Sequence, residues 1–167
     1  MEVQVLSLAQ KEKEAVLASF FVIFMQRKEL YEVVGNAWRE LSQRRGSIVQ
    51  KDAPVCIHIA RIVRREIPNS TLIKMPVPER DDFEAVILTP VDGILSVVDA
   101  AHRVWMKTLP KIEPTLEEAT LILPVTRELK IRNHIPYARH LKQPYVQAMQ
   151  RLIEHIALYG TKGLRTE

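Results

Sequence analysis

At 167 residues the chain is long enough to bury a real core as one domain spanning 1–167. A hydrophobic fraction of 47%, a charged fraction of 26% and only five glycines exclude a disordered, fibrous or linker-rich protein. The single cysteine, Cys56, excludes an internal disulfide and a cysteine-built zinc cage.

The net charge of +4 hides an uneven layout. Residues 43–75 hold seven cations against two acids, residues 76–125 four against nine, and residues 126–167 eight against three. Such alternation brings two basic segments together as one patch beside an acidic one if the fold allows it. The alternative is that solvated faces simply differ in charge.

In chain order, Ser7 with Gln10 has capping-box spacing. Val16, Leu17, Phe20, Phe21 and Phe24, then Tyr31, Val34, Trp38 and Leu41, recur at three- and four-residue intervals. The period predicts one long helix or two consecutive ones over residues 7–45, with Gly35 as the candidate break. The run Ala15 to Met25 is too short for a membrane helix, which needs about 20 apolar residues, and its charged flanks without a small-residue cleavage site argue against a signal peptide. No membrane association is expected, and the cytoplasm is the default location.

Residues 55–67 fit both periods: Val55, Ile57 and Ile59 alternate, while Ile59, Ile62, Val63 and Ile67 repeat as a helix. Helix is favoured because it gathers Arg61, Arg64 and Arg65 on one outward side. Residues 68–82, with Pro68, Pro76 and Pro78, read as a loop. "ERDDFEAVIL" places acids before an apolar run, as a helix N-terminus prefers. Ile94 to Leu109 reads as a helix with the stripe Ile94, Val97, Val98, Ala101, Trp105 and Leu109. Thr115 with Glu118 repeats the capping-box spacing and opens a short helix that Pro124 stops. Pro144 suits the first position of a last helix whose stripe is Val146, Met149, Leu152, Ile153 and Ile156, and Gly160 ends it. The expected fold is all-α: a compact bundle of five to seven helices with proline-rich connections.

Catalytic and metal constellations are not found in the sequence. No glycine-rich phosphate loop occurs, and "VDG" and "YGTKG" lack the strand–loop–helix setting. Cys56 sits in an apolar run as a buried thiol would. The five histidines form no pair spaced for a metal. Asp81, Asp82 and Glu84 could hold a divalent cation, but at a helix start the dipole explains them more simply; Asp92 reads as a cap rather than as a partner of Asp99. No enzyme, no cofactor and no metal is expected; a small helical enzyme using those acids and the histidines remains the other class.

The positive signal is cationic. Arg44, Arg45, Lys51, Arg61, Arg64 and Arg65 form one basic segment, and Arg127, Lys130, Arg132, Arg139 and Lys142 the other. Phosphate oxygens require only donors and positive charge, so irregular spacing suits backbone binding and not base readout. Tyr137 and Tyr145 either stack on unpaired bases or close helix ends as half-buried residues. The polar tail "GTKGLRTE" reads as a segment that something must hold, which favours an assembly.

An all-helical chain of this size, starting directly on a helix and carrying these two basic segments, resembles the small subunit of CRISPR effector complexes of the Cascade type. The resemblance implies several copies beside a guide RNA, steadying the heteroduplex or the displaced DNA strand through a basic surface, without catalysis. It also fits the abrupt start "MEVQVLSLAQ", since some such subunits are translated from an internal start. The expected partners are therefore RNA or single-stranded DNA, other protein subunits and copies of the chain itself. The alternative is a protein-interaction adaptor whose cations meet acidic partners.

Overall fold

The computed structural model describes residues 25–44, 54–78, 82–108 and 115–167. The chain is mixed α/β, not all-α. Its centre is a four-stranded antiparallel meander in the order β1 (Thr71–Val77), β2 (Asp82–Val91), β3 (Ile94–Asp99) and β4 (Leu121–Pro124). Helices α1 (Arg27–Arg44) and α2 (Val55–Glu66) cover one face. The last long helix, Gln143–Tyr159, covers the other.

Three expectations give way to this sheet. The proline-marked loop contains β1, which pairs with β2 from Thr71 opposite Leu88 to Val77 opposite Asp82. "ERDDFEAVIL" does not open a helix but supplies β2. The helix expected from Ile94 to Leu109 is β3 followed by a single 3-10 turn, His102–Trp105. Its helical stripe dissolves on inspection: Val97 packs toward the last helix, whereas Val98 packs toward α1 and α2. A sheet covered on both faces needs apolar residues at successive positions, so its strands lose the alternation that marks a half-solvated sheet.

The prolines sit where a sheet tolerates them. Pro90 lies past Leu88, the last β2 residue opposite β1. On β1, Leu72 and Lys74 direct their backbone groups to the outer edge, and Pro76 follows at the same parity. Between β2 and β3 the turn is Asp92-Gly93, both at positive φ (51° and 77°). That is the backbone of the tight hairpin turn that Asp-Gly favours.

The helical expectations fare better. Residues 55–67 are helical as α2, with Cys56, Ile59, Ala60, Ile62 and Val63 buried. Helix α1 runs unbroken through Gly35, burying Leu30, Val34 and Ala37. Its first residue is capped from afar: the Asp92 carboxylate accepts from the Arg27 backbone N–H at 3.1 Å. Asp92 therefore caps α1, not the helix expected to follow it. The Thr115–Glu118 capping box forms, with reciprocal bonds of 3.2 and 3.3 Å, but the helix it opens, α3 (Leu116–Ala119), makes one turn before β4 begins. After the one-turn α4 (Ile131–His134), helix α5 (Gln143–Tyr159) starts one residue ahead of Pro144 and ends at Gly160, φ 65°. The Ser7 box and the phenylalanine stripe of residues 16–24 lie outside the described residues.

Among the described residues no helix is long and apolar enough to cross a membrane. The tail is held by the chain itself. Thr166 bridges Ile73, the Lys74 N–H donates to the Arg165 carbonyl at 2.9 Å, and the Glu167 N–H donates to the Leu72 carbonyl at 2.9 Å. Residues 165–167 thus lie along the open edge of β1.

Candidate nucleic-acid interface

The two basic segments fall on opposite sides of the sheet. Arg61, Arg64 and Arg65 ride on α2, which packs on the α1 side, whereas residues 127–132 border α5 on the other. Arg45 and Lys51 lie outside the described residues. One continuous basic track through all the expected cations is thereby excluded.

The α2 segment is largely neutralised by its own acids. Arg65 bonds to Glu40 at 2.6 Å and to Glu66 at 3.0 Å, and Arg44 also pairs with Glu40. The Arg65 hydrogen bond holds the Glu40 carboxyl below its ordinary value. Arg61 grips Glu167 through two bonds, 3.0 and 2.5 Å, with Lys74 at 3.3 Å on the same carboxylate. Those bonds, Arg61's first, pull the Glu167 carboxyl down to about 2. Only Arg64 of the described cations in this segment lacks an ion pair.

The second segment differs. Arg127, Lys130 and Arg132 line a groove of about 670 Å³ between residues 127–133 and the outer face of α5. Arg132 donates to the Gln143 amide oxygen at 3.0 Å, and none of the three meets a carboxylate among the described residues. The opposite wall adds Arg151, which the sequence reading did not select. Arg151 lies off the buried stripe of α5, so it is outward by elimination once that helix is drawn. Glu128 and Glu154 moderate the charge without pairing with these cations. Gln150 fixes the wall's shape: its amide oxygen accepts from the Ile131 N–H at 3.1 Å, and its NH₂ donates to the Leu129 carbonyl at 2.7 Å. Arg139 and Lys142 stand apart at the next turn, and the Arg139 carbonyl accepts from Lys107 Nζ at 2.9 Å.

The tyrosines do not serve as stacking platforms in this arrangement. Tyr145 is 1% exposed, stacks on Trp105 at 5.4 Å and donates its hydroxyl to Asp99 at 2.6 Å. Half-buried Tyr137 meets His102 Nε2 at 3.3 Å.

Behind these rings lies a polar cluster missed by the sequence reading. Asp99 is fully buried and Glu84 is 1% exposed, and the stacked Tyr145 and Trp105 rings bind one carboxyl each. Trp105 Nε1 donates to Glu84 at 2.6 Å, and the Ala101 N–H donates to Asp99 at 2.8 Å. Burial pushes Asp99 above the usual carboxylate range. Burial also pushes the His102 imidazole down, so it stays neutral beside them. The cluster is enclosed, with His102 Nδ1 buried and without a hydrogen-bond partner among the described residues. Asp81 lies outside the described residues, Glu84 is committed to Trp105, and no metal-ligating cluster occurs among the described residues.

The resemblance to a Cascade small subunit rested on size, helicity and charge layout, and the sheet removes the second of these. No protein-family model, no curated protein and no solved structure matches the chain, so the groove's geometry is what a functional reading has to stand on.

Proposed function

We propose that the protein binds the backbone of a nucleic acid, without catalysis, through the groove between residues 127–133 and α5. One contrast carries the reading. Arg61 and Arg65 of α2 and Lys74 of β1 are held by Glu40, Glu66 and Glu167, leaving Arg64 alone there, whereas Arg127, Lys130, Arg132 and Arg151 face a common groove without a carboxylate partner. Unpaired cations gathered along a concave surface suit phosphate oxygens, which exchange condensed counterions for them. Contacts to phosphate oxygens fix register but carry no sequence information, so sequence preference is expected to be weak. A seat beside guide RNA in a Cascade-type complex is a narrower form of this reading, and the groove supports only the wider one.

The test is fluorescence anisotropy with single-stranded DNA and RNA across a salt series. Neutralising about four phosphates gives a log–log salt slope near −3. Charge reversal at Arg127, Lys130 and Arg132 should flatten that slope and weaken all sequences alike. Reversal at Arg61, Arg64 and Arg65 should change it little. Salt-independent binding, or a groove variant that binds like the parent, sinks the proposal. Capture of an acidic protein that survives nuclease treatment would instead favour the adaptor reading.

A further inference from the structure

On the α1 side of the sheet, away from the groove, lies a second cavity of about 280 Å³. It exists because small residues meet there. Gly35 of α1, Ala100 and Ala101 after β3, and Ala119 of α3 bring three chain segments together without side chains large enough to fill the space. Gly35 is the tightest point: a methyl group added there would stand 2.9 Å from Leu116 Cδ2. An apolar cavity of about 150 Å³ already accepts benzene, so this one has room for an aromatic ring with a short chain.

The walls are apolar and their polar atoms are occupied. Trp38 lines one side, and its indole N–H is already given to the Ala100 carbonyl at 3.0 Å. The mouth is different. Val104 and Leu116 border it with 53% and 46% of their surfaces exposed. Among the described residues the cavity's one charged lining group is Arg103, half-buried, and its guanidinium has no hydrogen-bond or ion-pair partner there. Exposed apolar side chains beside an unpartnered cation at the rim of a preformed cavity call for one occupant chemistry: an apolar body with an anionic head.

We propose that this cavity binds a small aryl-alkanoate type monocarboxylate, its carboxylate on Arg103 and its ring between Trp38, Val104 and Leu116. Nothing in this site depends on the nucleic-acid reading. The groove lies across the sheet, and either assignment can fail without the other.

The experiment is calorimetric titration of the full chain with 4-phenylbutyrate and, separately, with the uncharged 4-phenylbutanol, together with Trp38 emission. Saturable carboxylate binding is expected, about tenfold tighter than the alcohol, and Arg103→Gln should abolish that difference. Ala119→Leu, which fills the cavity, should weaken both ligands; if it unfolds the chain, Leu116→Ala serves as a second probe of the wall. No saturation by either compound, equal affinity for acid and alcohol, or carboxylate binding unaffected by Arg103→Gln would each overturn the assignment.

Discussion

Asp99 concentrates the energetics of the core at one residue. Its carboxyl answers two donors at once: the Tyr145 hydroxyl and the Ala101 N–H. Asp99→Ala strands both in an apolar setting and should cost about 3 kcal/mol in urea unfolding, because buried groups lose partners without regaining water. Asp99→Asn, which keeps hydrogen-bonding capacity without charge, should cost less. The pH dependence has a definite sign. The folded Asp99 holds its proton more tightly than the unfolded chain, so its contribution is full at low pH and is lost as pH rises through the folded value. His102 is depressed, so its contribution is present above 6.5, the ordinary histidine value, and falls as pH drops below it. Asp99 therefore lowers urea midpoints as pH rises from 3.8 through its folded value, His102 raises them as pH rises toward 6.5, and Asp99→Asn should remove the first component alone. Both acids were visible in the sequence as lone charges within apolar runs, "FEAVIL" and "VVDAA". Linear reading assigned Glu84 to a helix N-terminus and Asp99 to a helix face. Only strand register puts the two on one face of the sheet, through Ile87 opposite Val98 and Leu88 opposite Val97.

At the scale of elements, legibility followed burial geometry. Helices α2 and α5 each bury one stripe and leave the rest wet, so their period survives in the sequence. The strands bury both faces, so period two vanishes and chance three- and four-residue spacings imitate a helix. Asp92-Gly93 was the one strong local cue for the hairpin, since both positions require positive φ. Gly35 gives a test at this scale. It sits inside α1 with helical geometry, and the atoms nearest an added methyl are the two Cδ atoms of half-exposed Leu116, at 2.9 and 3.1 Å, a side-chain tip that can swing aside. Gly35→Ala should therefore raise stability, by about 1 kcal/mol from helix propensity, in thermal or urea unfolding. A loss instead would mean that Leu116 is locked in place.

For the whole molecule, charge layout was legible along the chain but not in space. The sequence places basic segments at 43–75 and 126–167; the sheet between them decides that they do not meet. The fold also brings distant acids onto the α2 cations: Glu40 of α1 reaches Arg65 from 25 residues away and Glu167 reaches Arg61 from 106. The tail contact has its own pH signature. Because the Glu167 carboxyl is held down at about 2, its pairing with Arg61 and Lys74 contributes above about 4.5 and fades as pH falls toward 2. Hydrogen exchange at the Lys74 amide, which donates to Arg165, should accelerate over that window, and Glu167→Gln should bring the faster exchange to neutral pH. Exchange unchanged by the variant would show the strand pairing to be independent of the ion pair.

The same tail has a consequence for synthesis. Leu72 emerges 95 residues before the Glu167 that bonds to it. At about 5–20 residues per second, the outer edge of β1 waits roughly 5–20 s for its cover. During that interval Pro76, which has no N–H to offer, and charged Lys74 stand as the edge's defence against pairing with another nascent chain. Ribosome-bound chains stalled before residue 165 are therefore the form in which this protein is most prone to associate through its sheet.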